Sequence, residues 1–109
     1  MIGDVEMLEF NSRENKVQNW IVGICCTESD GVNLYRVNGT KEQVKKYLID
    51  CVREDKQNDK DSWDYGDEDI AEIREERDGS MSAFATYSDY HIDYTAIPES
   101  KAEIEYLKE

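Results

Sequence analysis

The sequence predicts an α+β fold, in which an antiparallel sheet of about four strands is covered on one face by an amphipathic helix, with short extra helices beside it. Two observations lead to this prediction: two segments have the pattern of β-hairpins, and a strongly amphipathic segment lies between them. We expect residues 1–109 to form a single domain, because a chain of this length encloses one modest core rather than two.

The first hairpin is predicted at residues 20–37. Residues 20–26 form a continuous apolar run rich in β-forming side chains, which is typical of a buried central strand. The next residues, 28–31, are a turn signal in which Asp30 and Gly31 suit a positive φ. Residues 32–37 then supply the partner strand.

The central helix is predicted from residue 40 to about residue 56. Thr40 and Gln43 match a capping box, in which each side chain bonds to the other residue's backbone amide. Apolar side chains then recur at i, i+3, i+4, i+7 and i+8, in a single stripe that should pack on the sheet. The stripe consists of Val44, Tyr47, Leu48, Cys51 and Val52.

A polar loop is predicted at residues 57–66, and a second helix at residues 67–78. Asp67 or Asp69 can cap the start of this helix, and Gly79 is placed to end it. Its apolar stripe is narrow, with one alanine and two isoleucines. We therefore expect a weakly held helix whose outer face is almost entirely Asp and Glu.

The second hairpin is predicted at residues 81–96, where apolar and polar side chains alternate. If Tyr87 pairs with Tyr90, the odd-numbered side chains from 81 to 87 share the core side with the even-numbered ones from 90 to 96. The opposite side then holds Phe84, Thr86, His91, Asp93 and Thr95.

The two ends of the chain have weaker patterns. Ser100 and Glu103 match a capping box, and Ile104 and Leu107 would anchor a short C-terminal helix that follows Pro98. Near the other end, residues 5–10 fit either a short strand or a single helical turn.

Composition favours a folded cytoplasmic protein that does not associate with membranes. Seven Tyr, two Trp and two Phe argue against disorder. No apolar run approaches the ~20 residues of a membrane span. The N-terminus also lacks the basic region and apolar stretch of a signal peptide.

Neither a cofactor nor a metal site is predicted. Cys25 and Cys26 are adjacent, Cys51 is distant, and with a single histidine they do not match zinc-ligand spacing. An EF-hand loop with Gly66 at its sixth position would need oxygen ligands at positions 3 and 5, but these positions hold aromatic residues. The six glycines are scattered, so no phosphate-binding loop is expected.

We predict that the protein is not an enzyme and has no catalytic residues. On the outer side of the second hairpin, His91 would lie near Asp93 and opposite Thr86, an arrangement similar to a hydrolase triad. A hydrolase also needs an oxyanion hole and a nucleophile on a constrained turn, and the sequence has no such element. A polar pair across two strands is the simpler interpretation.

The negative charge is concentrated in one part of the chain. The net charge is −13, and residues 59–78, with ten acidic and three basic residues, account for −7 of it. Such a surface repels nucleic acid and attracts basic proteins. The predicted partner-binding residues are nine of these ten acids and the two aromatic residues among them: Asp59, Asp61, Trp63, Asp64, Tyr65, Asp67, Glu68, Asp69, Glu72, Glu75 and Glu76. The alternative is that Trp63 packs into the edge of the domain and the carboxylates only keep the protein soluble.

In size, charge and this acidic cluster, the sequence resembles the DNA-mimic inhibitors of phages and mobile elements, the anti-CRISPR and anti-restriction proteins. The resemblance implies that carboxylates occupy the basic nucleic-acid groove of a partner such as a CRISPR or restriction nuclease, without direct binding to nucleic acid. The sequence also resembles immunity proteins and antitoxins that cap basic nuclease toxins. An acidic regulatory adaptor domain is a further alternative.

Overall fold

Five antiparallel strands form one sheet in the computed structural model, which describes residues 16–28, 31–65, 72–102 and 105–107. The strands are β1 (Gln18–Cys26), β2 (Val32–Gly39), β3 (Arg74–Glu75), β4 (Met81–Thr86) and β5 (His91–Pro98), in the order β2-β1-β5-β4-β3. Within the described ranges there is one α-helix, α1 (Lys41–Asn58), and there are two 3₁₀ turns, Lys60–Ser62 and Glu99–Lys101. The predicted α+β class is confirmed, and β3 makes the sheet one strand wider than predicted.

The first hairpin and the central position of its first strand are confirmed. β1 pairs with β2 from Gln18 opposite Gly39 to Cys25 opposite Val32, and it pairs with β5 on its other side. The indole Nε1 of Trp20 donates to the Gly39 carbonyl oxygen at 3.2 Å, which ties the end of β2 to the core. Of the predicted turn, residues 29 and 30 lie outside the described residues.

The capping box sets the start of α1. The backbone N–H of Gln43 donates to Thr40 Oγ1 at 3.2 Å, and the Thr40 N–H donates to Gln43 Oε1 at 2.9 Å. The helix continues to Asn58, two residues beyond the predicted end. Within the predicted stripe, Val44, Leu48 and Val52 are buried to 2% exposure or less. Burying side chains of this kind contributes about 1.5–3 kcal/mol each.

The core lies between α1 and one face of the sheet. Alternate residues of β4 (Met81, Ala83 and Ala85) and of β5 (Ile92, Tyr94 and Ala96) are buried there with Trp20 and Val22 of β1. The alternation predicted for the second hairpin is therefore confirmed. Its turn also has the predicted register, because the Tyr87 N–H donates to the Tyr90 carbonyl oxygen at 2.8 Å.

The predicted helix at residues 67–78 is wrong in its described part. Residues 67–71 lie outside the described residues, whereas Arg74–Glu75 is a strand that pairs with β4. A turn then leads into β4, with Gly79 at φ +92° and its N–H donating to the Glu76 carbonyl oxygen at 3.0 Å. Gly79 has the positive φ expected of a residue that ends a helix, but here it lies in the turn of a hairpin. A helix in this segment would bury few apolar side chains and gain little stability from packing. Pairing with the free edge of β4 instead gives the backbone hydrogen bonds to an existing strand.

The predicted C-terminal helix is also wrong where the structure describes it. Glu99–Lys101 is a single 3₁₀ turn, and residues 105–107 belong to no helix. Leu107 is 91% exposed, so it does not anchor this segment to the core. A capping box followed by only two apolar residues does not offset the cost of starting a helix. Ile104 lies outside the described residues, as do residues 5–10, for which a strand or a helical turn was predicted.

Candidate functional site: the acidic edge of the sheet

The described parts of the acid-rich segment, residues 59–65 and 72–78, lie along one edge of the sheet, and we call them the acidic edge. Trp63 forms a bridge opposite Tyr87, and the Asp64 N–H donates to the Thr86 carbonyl oxygen at 3.1 Å. At the other end of β4, Glu75 lies opposite Met81. At each of these two points the chain pairs antiparallel with the β4 hairpin strand. Six residues of β4 at ~3.3 Å each separate them, so the acidic edge spans roughly 20 Å.

Several of the predicted carboxylates on this edge are exposed to solvent. Asp61, Asp64, Glu72 and Glu76 are all exposed. Glu75 is exposed as well, but its Oε1 lies 3.4 Å from Lys41 Nζ of α1, so its charge is partly compensated. Asp67, Glu68 and Asp69 belong to the predicted set and lie outside the described residues.

Asp59 has a different position from the other predicted acids. It ends α1 and is half-buried, and its Oδ2 accepts a hydrogen bond from the Tyr90 hydroxyl at 2.5 Å. One turn earlier, Asp55 accepts a hydrogen bond from the hydroxyl of the fully buried Tyr94. These two bonds fasten the last turns of α1 to β5. Asp59 therefore contributes to the fold more directly than to an exposed surface.

The two aromatic residues of the segment pack against the core rather than pointing into solvent. Trp63 has its ring centre 4.7 Å from that of Tyr65 and 5.4 Å from that of Tyr87, and Lys56 Nζ lies 5.3 Å from the centre of the Trp63 ring. The Tyr65 hydroxyl donates to the Phe84 carbonyl oxygen at 2.6 Å. Both residues are half-buried, and they hold the acidic edge against β4.

Three tyrosines at the end of the core have raised pKa values. Burial, followed by the negative charges of Asp55 and Asp59, raises the pKa of Tyr87 to about 12. Burial and the hydrogen bonds to these carboxylates raise the pKa of Tyr90 and Tyr94 as well. The ring of Tyr90 stacks on that of Tyr87 at 4.7 Å. Within the described part of the chain, neither the Tyr87 hydroxyl nor Trp63 Nε1 has a hydrogen-bond partner.

At the end of the acidic edge, Asp78 stabilises the turn between β3 and β4. Its Oδ1 accepts hydrogen bonds from the Ser80 hydroxyl at 2.7 Å and from the Ser80 N–H at 2.9 Å. These bonds lower the pKa of the Asp78 carboxyl group, because they favour the charged form. This acid therefore has a local structural role in addition to its charge.

The remaining chemistry-bearing side chains lie elsewhere. His91 is on the sheet face away from α1, with its Nε2 3.6 Å from Asp93 Oδ2, and it pairs with Thr86 across the two strands. All three cysteines are free thiols. Across the described ranges, no three His, Cys, Asp or Glu side chains converge in a way that could hold a metal ion.

Comparisons with protein-family models, with curated proteins and with solved structures find no match. In the described part of the chain, no helix is both long enough and apolar enough to cross a membrane.

Proposed function

We propose that the acidic edge binds a basic, nucleic-acid-handling protein and competes with its nucleic acid. The observation that supports this proposal is that exposed carboxylates lie toward both ends of a stretch of about 20 Å along one sheet edge. A nucleic-acid groove presents Lys and Arg to phosphates that recur every ~3.4 Å along a strand. Carboxylates held along this edge can present negative charge to the same groove.

The packing of the edge supports this function through preorganisation. Trp63 and Tyr65 are held by ring contacts and by the hydrogen bond to the Phe84 carbonyl, so the backbone that carries Asp61 and Asp64 is fixed before a partner arrives. Ordering a flexible segment on binding costs free energy, and a preformed row avoids that cost. The proposal assigns no catalytic step to the protein and places it in the cytoplasm with its partner.

A charge-reversal variant with a matched control tests the proposal. The edge variant replaces Asp61, Asp64, Glu72 and Glu76 by Lys, and leaves out Glu75 because of its ion pair with Lys41. The control variant replaces by Lys four acids that are also exposed but lie outside residues 59–78: Glu28, Glu54, Asp89 and Glu105. Each reversal adds two charges, so four change the net charge from −13 to −5 in both variants.

The assay first identifies the partner by pull-down from a host lysate, and then measures that partner's DNA binding with and without this protein. We expect the parent and the control variant to compete with DNA and the edge variant not to compete. Affinity for the partner should fall steeply as salt rises, because salt screens exposed charges beyond the ~8–10 Å Debye length. Equal competition by both variants would mean that the edge only keeps the protein soluble and guards β4 against edge-to-edge pairing.

The identity of the captured partner then separates the two inhibitor classes. A nuclease of a CRISPR or restriction system supports DNA mimicry, whereas a nuclease toxin encoded next to this protein supports an immunity function. Truncation of Trp63 is not a clean test of binding, because this ring packs against Tyr65 and Tyr87 and its loss would also destabilise the edge.

A further inference from the structure

The face of the sheet opposite α1 is not covered by any described helix or strand. We call it the open sheet face and define it by the side chains of the four long strands that point away from α1: Asn19, Ile21, Gly23, Cys25, Val32, Leu34, Arg36, Asn38, Ser82, Phe84, Thr86, His91, Asp93, Thr95 and Ile97. Three large apolar side chains on this face are strongly exposed: Val32 at 55%, Leu34 at 69% and Phe84 at 45%.

The open sheet face has a different charge from the rest of the protein. The chain has 26 acidic residues among 109, yet these fifteen positions include a single acid, Asp93. That acid lies 3.6 Å from His91, and Arg36 on the same face forms an ion pair with Glu99 at 3.3 Å. With one acid and one arginine, the face is electrically neutral in a protein of net charge −13. Charge depletion around exposed apolar residues is typical of an interface core.

We propose that two copies of this chain associate through their open sheet faces. Two copies of net charge −13 repel each other at any acid-rich surface, and this neutral face lets them approach without carboxylates opposing carboxylates. A basic partner would instead bind a surface rich in acids, such as the acidic edge. The self-association surface therefore differs in charge from the acidic edge, although the two meet at a cavity lined by Glu72, Phe84 and Asp93.

The size of the face indicates the kind of dimer to expect. Four strands ~4.8 Å apart and about seven residues of ~3.3 Å give a flat area of roughly 450 Å² per copy. This value is comparable to the largest apolar patches of monomeric proteins, and it falls below the roughly 800 Å² per partner of a standard stable complex. We therefore expect a reversible dimer that forms as protein concentration rises.

Sedimentation velocity over a range of concentrations tests the proposal with the full chain and three variants. Leu34→Lys on β2 and Phe84→Lys on β4 place a charge at two separate points of the open sheet face. Asn33→Lys is the matched control, because Asn33 is exposed on the same strand but belongs to the opposite face. Each variant makes the net charge less negative, so a weaker dimer cannot result from added repulsion.

We expect the parent and Asn33→Lys to dimerise equally, and Leu34→Lys and Phe84→Lys to weaken the dimer at least about tenfold, as the loss of buried anchors does. Dimerisation should strengthen as salt rises, because screening reduces the repulsion between two acidic copies. This salt dependence is opposite in sign to that expected for the basic partner. The Leu34→Lys variant should still compete with DNA for the basic partner. The dimerisation assay and the competition assay can therefore fail independently of each other.

Three results would overturn the proposal. The first is a parent protein that stays monomeric even at millimolar concentration. The second is an equal effect of Leu34→Lys and Asn33→Lys, which would show no preference for this face. The third is a loss of dimer with Leu34→Lys but not with Phe84→Lys, which would indicate edge-to-edge pairing of two β2 strands instead. Circular dichroism of each variant establishes that its fold is intact.

Discussion

Replacing Tyr94 by Phe removes a single hydroxyl group from the contact between β5 and α1. The Tyr94 side chain is fully buried, and its hydroxyl donates to Asp55 near the end of the helix. A hydrogen bond to a charged group contributes about 1.5–3 kcal/mol to stability. Asp55 is only half-buried, so water can replace part of the lost bond, and we expect a loss of about 2 kcal/mol.

The structure offers a matched control for this substitution. Tyr87 is also buried, at 3% exposure, but its hydroxyl has no hydrogen-bond partner among the described residues. Tyr87→Phe removes the same atom without breaking a bond, so it should leave stability unchanged or raise it, because an unsatisfied buried hydroxyl is unfavourable.

Urea unfolding followed by circular dichroism measures both variants. With a slope of about 2 kcal/mol per molar urea, Tyr94→Phe should lower the midpoint by about 1 M relative to the parent. The midpoint of Tyr87→Phe should stay the same or increase. If both variants lower the midpoint equally, the bond between Tyr94 and Asp55 does not fasten the helix to the sheet, and the reasoning is refuted.

Two further predictions concern the same core. Leu48→Ala should reduce the free energy of unfolding by about 2–5 kcal/mol, because the Leu48 side chain is fully buried between α1 and the sheet. A loss below half a kcal/mol in a urea titration would contradict its place in the core. Stability should also fall at alkaline pH, because Tyr87, Tyr90 and Tyr94 have pKa values above their ordinary value in the folded protein. The stability that these groups contribute is complete below the unfolded pKa of about 10 and is lost as the pH rises above it. Urea titrations at a series of pH values from about 9 to 11 test this pH dependence. A free energy of unfolding that stays constant over these pH values would disprove the link between the tyrosine pKa values and stability.

Local patterns in the sequence were sufficient to predict the elements with strong periodicity. The capping box and apolar stripe located α1 to within two residues, because a helix depends on neighbours three and four positions away. The alternation at residues 81–96 identified which side chains face the core, because successive side chains of a strand point to opposite faces. The run at residues 20–26 identified an internal strand for a different reason, because a continuous run of β-forming apolar residues is typical of a strand flanked by others.

The course of residues 59–65 and 72–78 was decided by tertiary contacts. The carboxylates suited a helix by their composition, but the free edge of β4 supplied backbone partners that made a strand at Arg74–Glu75 and a bridge at Trp63. These partners lie 6 to 24 positions away in the chain, so no local pattern reveals them. From the sequence, Trp63 could be either an exposed binding anchor or a residue that packs into the domain edge. Its ring contacts with Tyr65 and Tyr87 show that it packs against the domain.

The sequence by itself determined the charge of this protein, the concentration of acids in one segment, and the helix and hairpins that build the core. Tertiary structure decided which of those acids face solvent. Asp59 and Asp55 are separated from Tyr90 and Tyr94 by 31 and 39 positions, and they became structural partners only when α1 packed on β5. The neutral open sheet face likewise exists only because strand pairing gathers scattered residues on one side. Both results depend on contacts between distant segments, and such contacts form when the chain folds.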